Sequence, residues 1–92
     1  MSDINSLRAE IDSIDREMTE LLRRRMDVTL GIAEYKRENG LPVEDTGREH
    51  AVLEKIRGLA GEELAPYAEQ LYHTMFDISK QYQRARIAER EG

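Results

Sequence analysis

Two basic residues, Arg25 and Lys36, share one face of a stretch that otherwise presents apolar residues there. They lie eleven residues apart, a rotation of only about 20° in an ideal helix. Their Cα atoms would be ~16 Å apart, a gap that two long side chains can close around a small anion. Arg25 stands where the apolar pattern calls for an apolar side chain, and a buried unpaired cation is costly. The pattern indicates either an anion site or a polar residue that sets the register of a helical bundle.

Three further polar residues lie beside apolar stripes, one near the start of the same stretch and two in a later part of the chain. Arg8 precedes Arg25 by 17 residues, about 25 Å along one helix, so it can approach Arg25 only from a second chain. Taken alone, Arg8 is better explained by a surface pair with Asp12 at i+4. Ser79 and Gln83 form an i, i+4 pair beside a second apolar stripe. Gln83 offers an uncharged donor that suits an oxygen gaining negative charge, and a hydrogen bond within a bundle is the alternative.

A third group, Asp45, Arg48 and Glu49, lies where a loop passes into a helix. Thr46 and Glu49 have the spacing of a capping box, which accounts for Glu49 without any function. The same charges also lie close enough in sequence to contribute to a binding site. The sequence leaves both interpretations open.

The first helix is predicted from Asp3, as N-cap, to Glu38, where Asn39, Gly40 and Pro42 follow as stop signals. At ~1.5 Å per residue it would span ~54 Å. Its apolar positions recur in steps of three and four, which predicts a stripe that faces a partner helix. The members of this stripe are Ile4, Leu7, Ile11, Ile14, Met18, Leu21, Val28, Ile32 and Tyr35.

Two more helices follow in the sequence. One is predicted to begin near Thr46 and to end between Gly58 and Gly61, and another begins near Pro66. No segment alternates with period two, so we predict an all-α fold of three helices that are long, short and long. The third helix also has a stripe: Leu64, Ala68, Leu71, Met75, Ile78, Tyr82 and Ala85.

The first helix is too long for a compact monomer. A globule of 92 residues has a diameter of roughly 30 Å, so half of the apolar stripe would face water unless a second chain covered it. We therefore predict that two copies entwine into a six-helix homodimer.

Composition limits the class of protein. The 92 residues support one domain, 1–92, and the net charge of −5 argues against nucleic acid or an anionic membrane as partner. The chain has no Cys, which excludes disulfides and thiolate metal sites. No segment is predicted to span a membrane or to serve as a signal peptide, so we expect a cytoplasmic protein. His50 and His73 lack the further ligands of a metal site.

The polar positions, taken with their apolar neighbours, resemble the all-helical class, type II, of chorismate mutases. Single pieces of this resemblance are weak, but together they extend over nearly the whole chain in order and with compatible spacing. They are Leu7-Arg8-x-x-Ile11-x-x-Ile14-Asp15, Leu21-Leu22-x-x-Arg25, Ile32-x-x-x-Lys36, Pro42-Val43-x-Asp45-x-x-Arg48-Glu49 and Ser79-x-x-x-Gln83.

The resemblance implies an entwined homodimer that converts chorismate to prephenate in phenylalanine and tyrosine biosynthesis, without a cofactor or a metal. It implies a substrate site made of residues from both chains, with Arg8 contributed across the interface. Catalysis would fall mainly to Lys36, Gln83 and Arg25. The remaining substrate-binding residues would be Asp45, Arg48, Glu49 and Ser79.

The reaction suits these residue types. It is an intramolecular rearrangement that needs orientation of a dianion and stabilisation of charge growing on the ether oxygen. Arg matches carboxylates with two parallel hydrogen bonds.

Two other interpretations of the sequence remain open: an isochorismate-pyruvate lyase with the same fold, and a non-catalytic helical dimerisation module. A further enzyme of the pathway is a candidate partner, with Arg84, Arg86 and Arg90 as a basic tail for docking. The favoured alternative for this tail is a solvated last turn whose charges complement the helix dipole.

Overall fold

The chain folds into three α-helices joined by two short loops. A computed structural model describes residues 3–91, and residues 1, 2 and 92 of the predicted domain lie outside them. Helix α1 is Ile4–Glu38, α2 is Thr46–Ala60 and α3 is Ala65–Glu91. The prediction of three helices, long, short and long, is therefore confirmed, whereas the extent of a single domain stays a prediction. No helix between residues 3 and 91 is long and apolar enough to cross a membrane.

Both ends of α1 have the local structure that the sequence predicts. Asp3 is the N-cap, and its carboxylate accepts a hydrogen bond of 2.7 Å from the backbone N–H of Ser6. At the other end Gly40 has a φ of 64°, a conformation that favours glycine. The chain turns there so that the N–H of Leu41 donates to the carbonyl of Lys36 at 2.8 Å. This turn fixes the point from which the loop to α2 departs.

Helix α2 begins at Thr46 as predicted, but its cap is different. The N-cap is Asp45, whose Oδ1 accepts from the backbone N–H of Arg48 at 3.0 Å. The predicted capping box of Thr46 and Glu49 is therefore wrong by one position, because the backbone N–H of Glu49, which Thr46 would have served, donates to the carbonyl of Asp45 at 3.0 Å. The side chain of Glu49 is consequently available for another contact.

Helix α3 packs against both other helices, yet the chain buries little apolar surface. The buried apolar residues of the described chain are Ala33, Leu53 and Phe76. The molecule measures 56 × 28 × 14 Å, with a radius of gyration of 16.6 Å against about 12 Å for a compact chain of this length. The predicted excess of apolar surface over what one chain covers is therefore present in the structure.

Candidate functional site

A cavity of about 150 Å³ lies where the second half of α1, the start of α2 and the second half of α3 meet. Seven of the eight predicted site residues line it, and only Arg8 does not. The walls are formed by Arg25, Thr29, Ile32, Lys36, Val43, Asp45, Arg48, Glu49, Val52, Phe76, Ser79, Lys80 and Gln83.

Arg25 reaches the cavity from α1 and is held by two contacts with α3. Its Nη1 donates to the Ser79 Oγ at 3.3 Å, and its guanidinium lies 5.8 Å from the ring centre of Tyr72. The Tyr72 ring in turn meets Phe76 edge to face, with centroids 6.1 Å apart. These contacts orient the guanidinium while using few of its five N–H donors.

Lys36 lies on the same face of α1, as the eleven-residue spacing predicts. Its Nζ donates to the backbone carbonyl of Val43 at 2.7 Å, which ties the loop between α1 and α2 to the cavity wall. An ammonium has three N–H donors, so two remain for a ligand. The sequence pattern indicated the direction of this side chain but not its contact with the loop.

The buried part of the cavity wall is mainly polar, with Phe76 as its one apolar member among the described residues. Three of the six buried residues of the described chain are polar, and Thr29, Ser79 and Gln83 all line the cavity. The Thr29 hydroxyl donates to the carbonyl of Met26 at 2.7 Å. Gln83 is 6% exposed, and its buried Oε1 has no hydrogen-bond partner among residues 3–91. Buried amides are ordinarily paired, and an orphaned one in a cavity wall indicates a polar group that a ligand can satisfy.

Glu49 contacts a residue that the sequence patterns did not single out. Its Oε2 lies 3.1 Å from the Nζ of Lys80, and the same Nζ lies 3.0 Å from Oε1 of Glu44. The hydrogen bonds to Glu44 and then Glu49 raise the pKa of Lys80, and they outweigh the opposing effect of burial. Lys80 is therefore a charged member of the cavity wall.

The position of Lys80 carried a signal in the sequence. It lies four residues after Phe76 and three before Gln83, so it shares their face of α3. A single lysine on the flank of a helix is usually solvated. The partners of Lys80, however, come from a loop and from α2. No local pattern pairs Lys80 with Glu44 and Glu49, which precede it by 36 and 31 residues.

The cavity carries more positive than negative charge, although the chain has a net charge of −5. The four cationic side chains in its wall are Arg25, Lys36, Arg48 and Lys80. They face two carboxylates, those of Asp45 and Glu49, and the first already serves as the cap of α2. A concave site with this balance attracts a small anion with more than one negative charge.

Arg8 lies near the start of α1 and outside the cavity wall of its own chain. The 17-residue separation from Arg25 places it about 25 Å away along a straight helix. This agrees with the expectation that Arg8 does not serve the site of its own chain. Its service to the site of a second chain stays a prediction.

The chain has recognisable relatives among known proteins. The family model described as chorismate mutase type II matches residues 7–84. A bifunctional chorismate mutase/prephenate dehydratase of Buchnera aphidicola is 41% identical over 58 residues, which are 63% of this chain and 15% of that protein. The chorismate mutase of Methanocaldococcus jannaschii is 34% identical over 56 residues, which are 61% of this chain and 57% of that protein.

A third relative has a different substrate in its name. The 4-amino-4-deoxychorismate mutase of Streptomyces venezuelae is 33% identical over 61 residues, which are 66% of this chain and 59% of that protein. In each of these three comparisons the aligned region spans less than two thirds of the relative's own length. No solved structure matches the chain. The match from Leu7 to Arg84 covers most of the sequence, in the order in which the helices and the cavity residues occur, and the chain belongs to the type II chorismate mutase family.

Proposed function

We propose that this protein is a chorismate mutase, which rearranges chorismate to prephenate in the biosynthesis of phenylalanine and tyrosine. The observation that carries the proposal is the cavity itself, a cationic cleft whose buried wall presents the amide of Gln83 with an unpaired Oε1. The substrate is a dicarboxylate with an ether oxygen that gains negative charge as its C–O bond breaks. A cleft with several cations and a buried neutral amide matches both requirements.

The first task of the site is to hold the flexible side chain of the substrate over the ring. Arg25 and Arg48 each provide a planar fork that matches a carboxylate with two hydrogen bonds. Arg25 is already oriented by Ser79 and Tyr72, so less conformational entropy is lost on binding. Holding the two reacting ends together supplies much of the rate in an intramolecular reaction of this kind.

The second task is to stabilise the ether oxygen in the transition state. Lys36 retains two donors beyond its bond to Val43. Gln83 can turn its amide about the terminal torsion, which has a broad minimum, and present its NH₂ to the oxygen. Neither step requires proton transfer or a nucleophile from the protein, because bond making and bond breaking occur within the substrate.

The third task is to bind the ring hydroxyl. Glu49 has one carboxylate oxygen on Lys80, and its other oxygen can accept from a hydroxyl. The backbone near Asp45, at the N-terminal end of α2, is the second expected contact. Together these groups would set the orientation of the ring against the arginine forks.

We also propose that the active form is a homodimer in which Arg8 enters the cavity of the other chain. Support comes from the first half of α1, where the apolar stripe is between 45% and 58% exposed. Contiguous apolar patches of this kind mark interfaces in stable proteins. The members of the exposed stripe are Ile4, Leu7, Ile11, Ile14, Met18 and Leu21.

The name of the Streptomyces relative adds a second substrate class, in which an amine replaces the ring hydroxyl. An isochorismate-pyruvate lyase would need a similar cationic cleft, and a dimerisation module would need none. The cytoplasmic location and a further pathway enzyme as partner stay predictions.

The decisive experiment follows chorismate consumption by absorbance and identifies the product by chromatography. We expect prephenate from the purified protein. Pyruvate and salicylate from isochorismate, without prephenate from chorismate, would establish the lyase instead. A folded protein that turns over neither substrate would contradict the proposed enzyme, and a dicarboxylate transition-state mimic that leaves the melting temperature unchanged would favour the dimerisation module.

A further inference from the structure

Lys80 is the charged residue of the cavity wall that the proposed mechanism leaves without a role. Its side chain is 14% exposed and lies between two carboxylates from different elements. Glu44 belongs to the loop before α2, and Glu49 belongs to the first turn of α2. Lys80 therefore links α3 by ion pairs to the loop before α2 and to α2 itself, which together form the opposite wall of the cavity.

These contacts determine how Lys80 can act. The two carboxylates at 3.0 and 3.1 Å occupy its nearest hydrogen-bonding positions, and Asp77 lies 3.9 Å away on the solvent side, with its side chain 72% exposed. The ammonium is thus engaged before any ligand arrives. It holds one oxygen of the Glu49 carboxylate and, shared with Glu44, offsets part of its negative charge, so that the other oxygen acts as an acceptor with a reduced negative charge.

We infer that Lys80 is a positioning residue that makes the site select a substrate with a neutral hydroxyl over one with an ammonium at the same place. The inference rests on the proposed function, because it requires the ring substituent to meet Glu49. Lys80 does not touch the substrate in this arrangement. It acts through the carboxylate that does.

The physical reason is the local balance of charge. An aliphatic amine is protonated at neutral pH, and beside Glu49 it would bring a second cation close to Lys80. Arg48 and Lys36 line the same cavity and add to the repulsion. The other charges near the cluster are the exposed Asp77 and Arg84, of which Arg84 lies 3.8 Å from Glu44, and water screens both. A hydroxyl needs only an acceptor and meets none of this repulsion.

The test uses two bicyclic dicarboxylate mimics of the transition state that differ only in a hydroxyl or a primary amine at the ring position. Their Kd values are measured by calorimetry at neutral pH. We expect the unmodified protein to bind the hydroxyl form at least about tenfold more tightly, and Lys80→Met to reduce that preference by about tenfold. Lys80→Gln serves the same comparison if the methionine variant does not fold.

Two control variants separate this role from a structural one. Lys80→Arg keeps the cation and should keep the preference within about threefold. Glu44→Gln removes the other partner of Lys80 but leaves its charge beside Glu49, and should also preserve the ratio of the two Kd values. A purely structural Lys80 would weaken both mimics equally in Lys80→Met, and an unchanged ratio would overturn the inference, as would an unmodified protein without preference.

Failure of the inference and failure of the proposed function are distinguishable. A protein that makes prephenate but shows no dependence of the Kd ratio on Lys80 keeps its function and refutes the inference. A protein that makes no prephenate but loses its preference in Lys80→Met supports the selection by Lys80 and refutes the mutase.

Discussion

Arg25→Ala tests the cationic site at the residue where the sequence departs most clearly from its own apolar pattern. Arg25 lies on the stripe of α1, half buried, with its guanidinium on the cavity wall. The alanine variant removes the fork that would hold a substrate carboxylate. It also removes two contacts within the protein, the 3.3 Å hydrogen bond to Ser79 and the packing on Tyr72.

The loss of contacts within the protein and the loss of the contact with the substrate differ in free energy. The hydrogen bond to Ser79 is long, and a cation over a partly exposed ring contributes about 0.5–1 kcal/mol, so the free energy of unfolding should fall by roughly 1 kcal/mol. A charge-assisted hydrogen bond to a ligand contributes about 1.5–3 kcal/mol. Loss of one fork should therefore raise the activation free energy by about 3 kcal/mol, which reduces kcat/KM at least ~10²-fold.

The assay is the conversion of chorismate to prephenate, with circular dichroism and size-exclusion chromatography to verify the fold and the oligomer. Arg24→Ala is the matched control, because Arg24 is exposed and points about 100° away on the same helix. It should change kcat/KM by less than about twofold. Arg25→Lys keeps the charge but not the fork and should fall between the two.

One result would refute this reasoning. If Arg25→Ala loses only a few-fold in kcat/KM while the fold and the oligomer are preserved, Arg25 is a structural residue that sets the register of the bundle. The unpaired Oε1 of Gln83 in the cavity wall would then need another explanation.

Three further predictions concern the amide, the interface and the cap. Gln83→Glu should be active only on the acid side, with kcat/KM falling about tenfold per pH unit once the new carboxyl ionises, because a carboxylate repels the charge growing on the ether oxygen. The kcat/KM of the unmodified protein should change little across neutral pH, and a steep decline below about pH 8 would contradict the proposed role of the amide. Met18→Glu places a charge on the exposed stripe of α1 and should dissociate or unfold the proposed dimer, as measured by analytical ultracentrifugation. Ser13→Glu, off the stripe, should not. A monomeric unmodified protein would contradict the proposed interface. Asp3→Ala should lower the Tm at neutral pH. The hydrogen bonds from Ser6 lower the pKa of Asp3 below its ordinary value of 3.8, so this stabilisation is complete above pH 3.8 and is lost as the pH falls through the lowered pKa. A difference in Tm that persists at still lower pH would exclude the cap as its cause.

Local sequence signals were sufficient to predict where the helices lie. The apolar period of α1, the Asp3 cap and the Asn39-Gly40 stop act through residues within a few positions of one another, so they can be read without a fold. The same holds for the common direction of Arg25 and Lys36, which follows from helix geometry alone. The one local error, the cap of α2, arose because two neighbouring residues, Asp45 and Thr46, are both good caps and only one can occupy the position.

The sequence by itself determined three helices, the bounds of the first two and the start of the third to within a residue or two, an excess of apolar surface over what one chain can bury, and a set of polar residues on consistent helix faces. Only the tertiary structure decided that Ser79 orients Arg25, that Val43 accepts from Lys36, and that Lys80 joins Glu44 to Glu49. These contacts join residues up to 54 positions apart. The physical reason is that periodicity fixes the direction of a side chain on its own helix, whereas its partner depends on how the helices pack and on the path of the loop between them.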